Sequence, residues 1–176
     1  MSITVVIPIK NEEEVILETL KKFDESWIVQ VDHEILIIND NSTDKTIELI
    51  RNKNFQKLKI ILIDNPKIGL GSAIKCGIDN SSNEFINIYM ADMSDSLEDL
   101  KIYYEKIKNN KLLDAVFGSR FVKDSKVINY PKIKLFLNRL ANNLVKIIFF
   151  SKYNDFTNAF KIYKRTALLK LYPLVS

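Results

Sequence analysis

Apolar runs rich in isoleucine and valine alternate along this 176-residue chain with stretches whose apolar residues recur every three or four positions. The runs at 3–8, 34–38, 58–63, 85–90 and 114–118 have the length and β-branched content of strands. Their near-continuous hydrophobicity suits a sheet covered on both faces. Between them, 12–23, 44–51, 71–79 and 96–108 carry a helical period; in the last, Leu97, Leu100, Tyr104 and Ile107 form one stripe. Start signals agree: Asn11 precedes Glu12, Glu13 and Glu14, Ser42 or Thr43 precedes Asp44, and Ser96 precedes Glu98 and Asp99. The pattern predicts an α/β domain of βα units around a mostly parallel sheet.

After Gly118 the rhythm changes. Tyr130-Pro131 opens a Lys-rich amphipathic stretch over 132–152, followed by a short strand at 159–163 and a helical piece from Thr166. There is no internal repeat, linker or low-complexity region. The chain stops at Ser176 just after that helix begins, which reads as a boundary inside a longer protein.

Composition narrows the function classes. Apolar residues make up 47% of the chain, enough for an ordinary core and against disorder. The 26 Lys and Arg against 22 Asp and Glu leave +4, a mild excess that suits phosphorylated ligands or an anionic membrane surface and gives no case for nucleic acid. The single cysteine, Cys76, sits among apolar helical positions as a small buried hydrophobe, excludes an internal disulfide and fits a reducing compartment. The N-terminus opens on a strand and does not read as a signal peptide, so a cytosolic start is expected. No apolar run approaches the roughly 20 residues needed to cross a bilayer. The nearest candidate, 144–150, is short and carries Lys146.

In an open parallel sheet, ligands bind beyond the carboxyl ends of the strands. Three polar loops occupy that edge: Lys10-Asn11-Glu12, the run from Asn39 to Asp44, and the run from Ala91 to Asp95. With the first strand central and the second and fourth beside it, Asp40 and Asp92 meet across it. Such a pair implies a shared cation or shared acid–base work. Each acidic loop also suits a capped helix start. The stretch from Asn65 to Ala73, with Gly69 and Gly71, opens a helix but matches neither the dinucleotide fingerprint nor a P-loop. It fits a plain turn as well as a ligand loop.

The runs VVIPIKNEEE (5–14), ILIINDNSTDKT (35–46), DNPKIGLGSAIKCGID (64–79), YMADMSDSLEDL (89–100), FGSRF (117–121), NRLANN (138–143) and DFTNAFKIYKR (155–165) resemble, in order and spacing, family 2 glycosyltransferases, most closely the dolichyl- or polyprenyl-phosphate sugar synthases. The resemblance covers nearly the whole chain. It implies a single glycosyltransferase domain of GT-A fold, a Rossmann-like three-layer sandwich with a mostly parallel central sheet, over 1–176 and without a C-terminal part of the family's catalytic or membrane region. It also implies a GDP- or UDP-linked sugar donor, Mg²⁺ or Mn²⁺, and inversion at the anomeric carbon.

Carried over by position, Pro8, Lys10, Glu12 and Asp40 match nucleoside contacts, and Lys67 and Ala91 join them as candidate donor contacts. Asn39 stands where the family often has a second acid. Asp92 matches the last acid of the metal motif, with Met90 in place of the first, and Ser94 a further metal or phosphate contact. Arg120 and Arg139 match basic positions aimed at donor and acceptor phosphates; with Asp92 they form the candidate catalytic set.

These residue types suit the chemistry. Cleaving a sugar–phosphate bond leaves negative charge on a nucleoside diphosphate, which prepositioned cations stabilise. Oxygen ligands without a Cys/His cluster favour Mg²⁺ or Mn²⁺ over zinc. A phosphate monoester, with a second pKa near 6, is already mostly dianionic and needs no general base. The one histidine, His33, lies at the far end of the second strand and is expected at the surface. Trp27, Tyr103 and Tyr104 read as packing residues.

Along 132–152 the apolar positions recur at helical spacing beside Lys132, Lys134, Arg139 and Lys146, as in helices at a membrane interface, and equally as in a helix packed on the domain. The favoured reading is an inverting hexosyltransferase to a polyprenyl phosphate at the cytosolic membrane face, with peripheral membrane contact. Its rivals are a family 2 transferase acting on a saccharide hydroxyl and a catalytically silent nucleotide-sugar binding module. A phospho-receiver domain is more distant, because Lys10 and Asn11 stand where its acidic pair belongs.

Overall fold

A computed structural model describes residues 1–122 and 132–171. They form two compact units, one of Met1–Val116 with the segment from Lys161, the other within Phe117–Phe160. The expected turn at Tyr130-Pro131 lies outside the described residues.

The first unit is built on a sheet of strands β1 (Ile3–Ile9), β2 (His33–Asn39), β3 (Ile60–Asp64), β4 (Phe85–Ile88), β5 (Ala115–Phe117) and β6 (Lys161–Lys164), ordered β3-β2-β1-β4-β6-β5. β1 pairs in parallel with both β2 and β4, and β2 with β3. β1 and β4 are buried along their whole length, β2 up to Asn39, and β3 is partly exposed, as an edge strand should be. Even-numbered residues of the central strands, among them Val6, Leu36, Ile38, Ile86 and Ile88, pack against Ala73, Cys76 and Ile78 of α3 (Leu70–Asn80). Leu168 and Leu169 of α6 (Arg165–Leu171) join them.

The odd-numbered face meets α1 (Ile16–Asp24) and α4 (Leu97–Asn109) through aromatic rings. Phe23 lies edge-on to Tyr89 at 4.9 Å and Phe85 edge-on to Tyr104 at 5.8 Å, while Trp27 is tilted against Tyr104 at 5.2 Å. These are favourable aromatic geometries, and they make Trp27 and Tyr104 packing residues as expected. At Gly77 the approach of α3 to the sheet is so close that an added Cβ would lie 2.2 Å from Val6 Cγ1.

Several expectations are corrected. α1 starts at Ile16, not residue 12, and α2 at Thr46 (Thr46–Asn52), because the residues ahead of each helix bond the other's loop instead of extending their own helix. Trp27–Gln30 is a 3₁₀ turn, begun by the Ser26 hydroxyl accepting from Ile28 N–H. β4 ends at Ile88, and the short late strand runs Lys161–Lys164, entering the sheet antiparallel to β4. His33 is buried, not at the surface: it opens β2 opposite Ile3, with Nδ1 2.9 Å from the Val31 carbonyl. The helix from 132, α5 (Lys132–Ile148), ends before Lys152 and belongs to the second unit.

Candidate active site

Because β1 is flanked by parallel neighbours, the loops after β1, β2 and β4 leave the sheet at one rim. Each holds a non-glycine residue in the left-handed region: Asn11 at φ 57°, Asn41 at φ 60° and Met93 at φ 56°. Asparagine tolerates this backbone; methionine gains nothing from it, so Met93 marks stored strain beside Asp92.

The first two loops are zipped together. Asn11 N–H donates to Ser42 Oγ at 3.1 Å, Glu12 N–H to Thr46 Oγ1 at 2.8 Å and Glu13 N–H to Asp44 Oδ2 at 3.1 Å. In return Thr43 N–H donates to Asn11 Oδ1 at 2.8 Å, and Lys45 N–H to Glu13 Oε2 at 2.9 Å. Lys10 and Glu12 are thereby carried on a fixed backbone.

Asp40 follows β2 directly, its N–H bonded to the Ile9 carbonyl at 2.8 Å. Its side chain is only 7% exposed. Oδ1 accepts from Gly69 N–H at 2.8 Å and from Asn65 Nδ2 at 2.7 Å, while Oδ2 lies 3.8 Å from Lys10 Nζ. The Gly69 N–H bond, assisted by Asn65 and Lys10 against the opposing effect of burial, holds this carboxyl below the usual aspartate range. Gly69 sits at φ 117°, a backbone that glycine alone adopts without strain, and that turn aims its N–H at Asp40.

Asn65 was not singled out by sequence reasoning. It is buried, and its Oδ1 accepts from Ser72 Oγ at 2.9 Å, which fixes the amide so that Nδ2 faces Asp40. The sequence offered one signal, an asparagine heading the glycine loop. Asp40 therefore presents an ionised carboxylate with one oxygen committed to the fold and the other toward Lys10.

On the other side of the β1 loop, Asp92 is exposed, and its Oδ1 accepts from Ser94 N–H at 3.0 Å. Two buried side chains shape this loop: Thr19 Oγ1 donates to the Ala91 carbonyl at 2.7 Å, and Tyr89 OH to the Asp95 carbonyl at 2.6 Å. Ala91 thus has its carbonyl engaged within the fold. Glu12, half-buried, has its pKa raised first by desolvation and then by the negative charges of Asp92 and Asp44. Asp40 and Asp92 stand on one rim, with Lys10 beside the first and Glu12 within the field of the second.

Among the described residues no cluster of three or more His, Cys, Asp and Glu is placed to hold a metal ion. The rim is nonetheless electronegative at Glu12, Asp44 and Asp92, and Mg²⁺ and Mn²⁺ commonly take one or two carboxylates and complete their shell with diphosphate oxygens and water. Asp92 with Ser94 fits that donor set. Pro8 is buried in β1 in register with Ile38, and Lys67 is exposed on the Asn65–Gly69 turn.

The two arginines lie in the second unit. Arg120 is held by the buried Asp155, with Nε to Oδ2 at 2.9 Å and Nη2 to Oδ1 at 2.7 Å, and Nη2 also donates to Thr157 Oγ1 at 2.9 Å. Arg139 stacks over the Phe121 ring at 5.4 Å. With Lys146, Asn143, Asn154 and Phe121 it lines a concavity of about 310 Å³. Arg139, Asn143 and Lys146, four and three residues apart, share one stripe of α5. Asp155, which fixes Arg120, was another residue the sequence reading did not isolate.

A mostly parallel sheet with polar loops gathered at one rim agrees with the expected GT-A fold. A model of Glycosyl transferase family 2 matches residues 4–172, and the chain belongs to that family. It is 28% identical over 141 residues to a dolichol-phosphate mannosyltransferase of Pyrococcus furiosus, covering 80% of this chain and 39% of that protein. It is 29% identical over 145 residues to the dolichyl-phosphate beta-glucosyltransferase ALG5C of Trichomonas vaginalis, covering 80% and 43%. The chain thus spans about two fifths of the length of these curated relatives.

Among solved structures, the mannosyltransferase PcManGT of Pyrobaculum calidifontis, in complex with GDP-Man and Mn²⁺, superposes with a TM-score of 0.66 at 19% identity, over 96% of this chain and 46% of that one. Glucosyl-3-phosphoglycerate synthase of Mycobacterium tuberculosis, in complex with Mn²⁺, UDP-glucose and phosphoglyceric acid, does so at 0.66 and 15% identity, over 94% and 57%.

Proposed function

We propose that this chain is the donor-binding portion of an inverting hexosyltransferase that moves sugar from a GDP- or UDP-linked donor to a polyprenyl phosphate at the cytosolic face of a membrane. The observation that carries the reading is the rim itself. Parallel strands on either side of β1 deliver Asp40, prepaired with Lys10, and Asp92, beside Glu12, to the ligand-binding edge of the sheet.

Asp40 accepts a donor N–H or hydroxyl of the nucleoside through its uncommitted oxygen, with Pro8, Lys10, Glu12 and Lys67 around it. Asp92 and Ser94 hold the divalent ion, which supplies positive charge to the diphosphate. Arg139 binds phosphate, and Arg120, held by Asp155, supports the same role. The reaction needs no protein base. A phosphate oxygen of the acceptor attacks the anomeric carbon from the face opposite the diphosphate, and the breaking C–O bond leaves its electron pair on the nucleoside diphosphate. The names of the relatives support a lipid phosphate; the phosphoglyceric acid complex of the mycobacterial enzyme favours a second reading, a soluble hydroxyl acceptor, whose base would lie elsewhere.

Calorimetric titration with UDP-, GDP- and dTDP-sugars, with and without Mn²⁺, followed by transfer assays to polyprenyl phosphate and to saccharides, tests the reading. One nucleotide is expected to bind only with the cation. Asp92→Asn should lower turnover at least about 100-fold with the fold intact, as for lost transition-state stabilisation. Full activity in that variant would refute the assignment, and transfer to saccharides alone would select the second reading.

A further inference from the structure

α5 wears its amphipathicity inside out. Phe136, Leu140, Leu144 and Ile147 are each more than half exposed, and the stripe runs on into Phe149 and Phe150, the latter 95% exposed. Among its described side chains, the one that α5 buries is polar. Asn142 is 1% exposed and accepts from Phe156 N–H at 2.6 Å, while its amide donates to Thr157 Oγ1 at 3.0 Å. A surface helix normally turns its apolar stripe to the core and its polar face to water. A contiguous outward stripe of this kind marks an interaction surface.

The charge identifies the partner. Residues 132–152 contain five Lys and Arg and no Asp or Glu, so the rest of the chain, with 21 basic and 22 acidic residues, carries a net −1. The whole positive excess of the protein lies on this one segment. Arg139 and Lys146 have no acidic partner among the described residues, and they flank the stripe one residue before Leu140 and Ile147. A second copy laid stripe to stripe would bring two such cationic sets together without a compensating acid. A surface rich in phosphate and hydrocarbon satisfies both halves of the helix.

Orientation follows from length. Seventeen residues span about 26 Å as a helix, Arg139 and Lys146 interrupt the middle, and no described helix is long and apolar enough to cross a membrane. We infer that α5 is a docking helix that lies in the plane of an anionic lipid bilayer, its apolar stripe among the acyl chains and its cations against the lipid phosphates. This docking needs no acceptor lipid, and its apolar stripe takes no part in the proposed transfer reaction.

Vesicle flotation of the full chain tests it, using phosphatidylcholine vesicles with and without about 30% phosphatidylglycerol, both free of polyprenyl phosphate. Partitioning should be at least about tenfold stronger on the anionic vesicles and should fall as salt rises from about 50 to about 300 mM. Leu144→Asp and Ile147→Asp, at exposed sites that leave the thermal midpoint unchanged, should each weaken it about tenfold or more. Lys146→Glu should weaken it by a similar factor, at about fivefold per unit charge, whereas Lys106→Glu on α4 should not.

Equal binding to neutral vesicles, or Lys106→Glu matching Lys146→Glu, would overturn the inference. So would failure to bind any acceptor-free vesicle. A dimer by sedimentation that Leu144→Asp dissociates would assign the stripe to a second copy instead.

Discussion

The rim of the parallel sheet and the α5 region solve opposite problems. At the rim the polar groups are bound in advance: Asp40 has one oxygen filled by Gly69 and Asn65, and the loops after β1 and β2 exchange hydrogen bonds in both directions. Along α5 the large apolar side chains face outward, and two cations lack acidic partners among the described residues. The first arrangement fixes a few acceptor directions, as a small polar ligand requires. The second offers area and charge without fixed geometry, as a fluid surface requires. Organisation here goes where the chemistry is directional and is absent where the partner is not.

The largest expected effect tests whether the second unit has any fixed element. Asp155 is fully buried and binds Arg120 through both oxygens. Asp155→Ala leaves a mostly buried guanidinium uncompensated, a change that commonly costs about 3–5 kcal/mol. Protease susceptibility within 117–160 should rise sharply while the β1–β4 core stays protected from hydrogen exchange. Equal loss of protection in both units would show that they unfold as one.

Gly77→Ala probes the support beneath the rim. The new methyl would overlap Val6 at the centre of β1, so α3 must move outward and take Gly69 and Asn65 with it. Overpacking of this kind costs about 1–3 kcal/mol, seen as a lower chemical-denaturation midpoint. Donor affinity should fall beyond the loss of folded protein. Unchanged affinity would mean that the loop after β3 is held independently of α3.

What the sequence disclosed follows the range of the interactions involved. The βα alternation is legible because period and β-branching are local, and the parallel β2-β1-β4 core follows from it. The insertion of β6 is not legible, because its antiparallel pairing joins Phe85 to Lys164 across most of the chain. Asn11, Ser42 and Thr43 resemble helix caps by composition, yet all three bond across to the other loop, and the helices start later. Ser96, reading as a cap, is one, accepting from Asp99 N–H at 3.2 Å. The stripe of α5 is visible as spacing, but periodicity does not say which side faces the protein. Asn65 reads as a turn residue because its partners Asp40 and Ser72 are set by the fold.

Asn65→Asp tests that hidden contact. The substitution replaces the donor facing Asp40 with a carboxylate oxygen while keeping the shape. Donor affinity at pH 8 should drop about tenfold, the scale of one lost charge-assisted hydrogen bond plus like-charge contact. Lowering the pH to about 5 should restore part of it, as the pair comes to share a proton. A loss equal at both pH values would reduce Asn65 to a packing role.

The smallest effect concerns the cost of keeping the rim electronegative. Burial, with Asp92 and Asp44 adding to it, raises the Glu12 pKa above the ordinary glutamate value of about 4.3. A carboxyl raised on folding contributes stability that is fully present below its unfolded pKa and lost as pH rises through the folded value. At neutral pH the ionised Glu12 therefore disfavours the folded state. Glu12→Gln should raise the thermal midpoint at pH 7.5 by about 1–3 °C, corresponding to less than about 1 kcal/mol, and leave it unchanged or slightly lower near pH 4. Added Mn²⁺ should raise the midpoint of the parent protein more than that of the variant, because the cation relieves the same repulsion. A variant less stable than its parent at pH 7.5 would show that the Glu12 carboxylate is already compensated within the fold, and that the rim is organised for neutral ligands on that side.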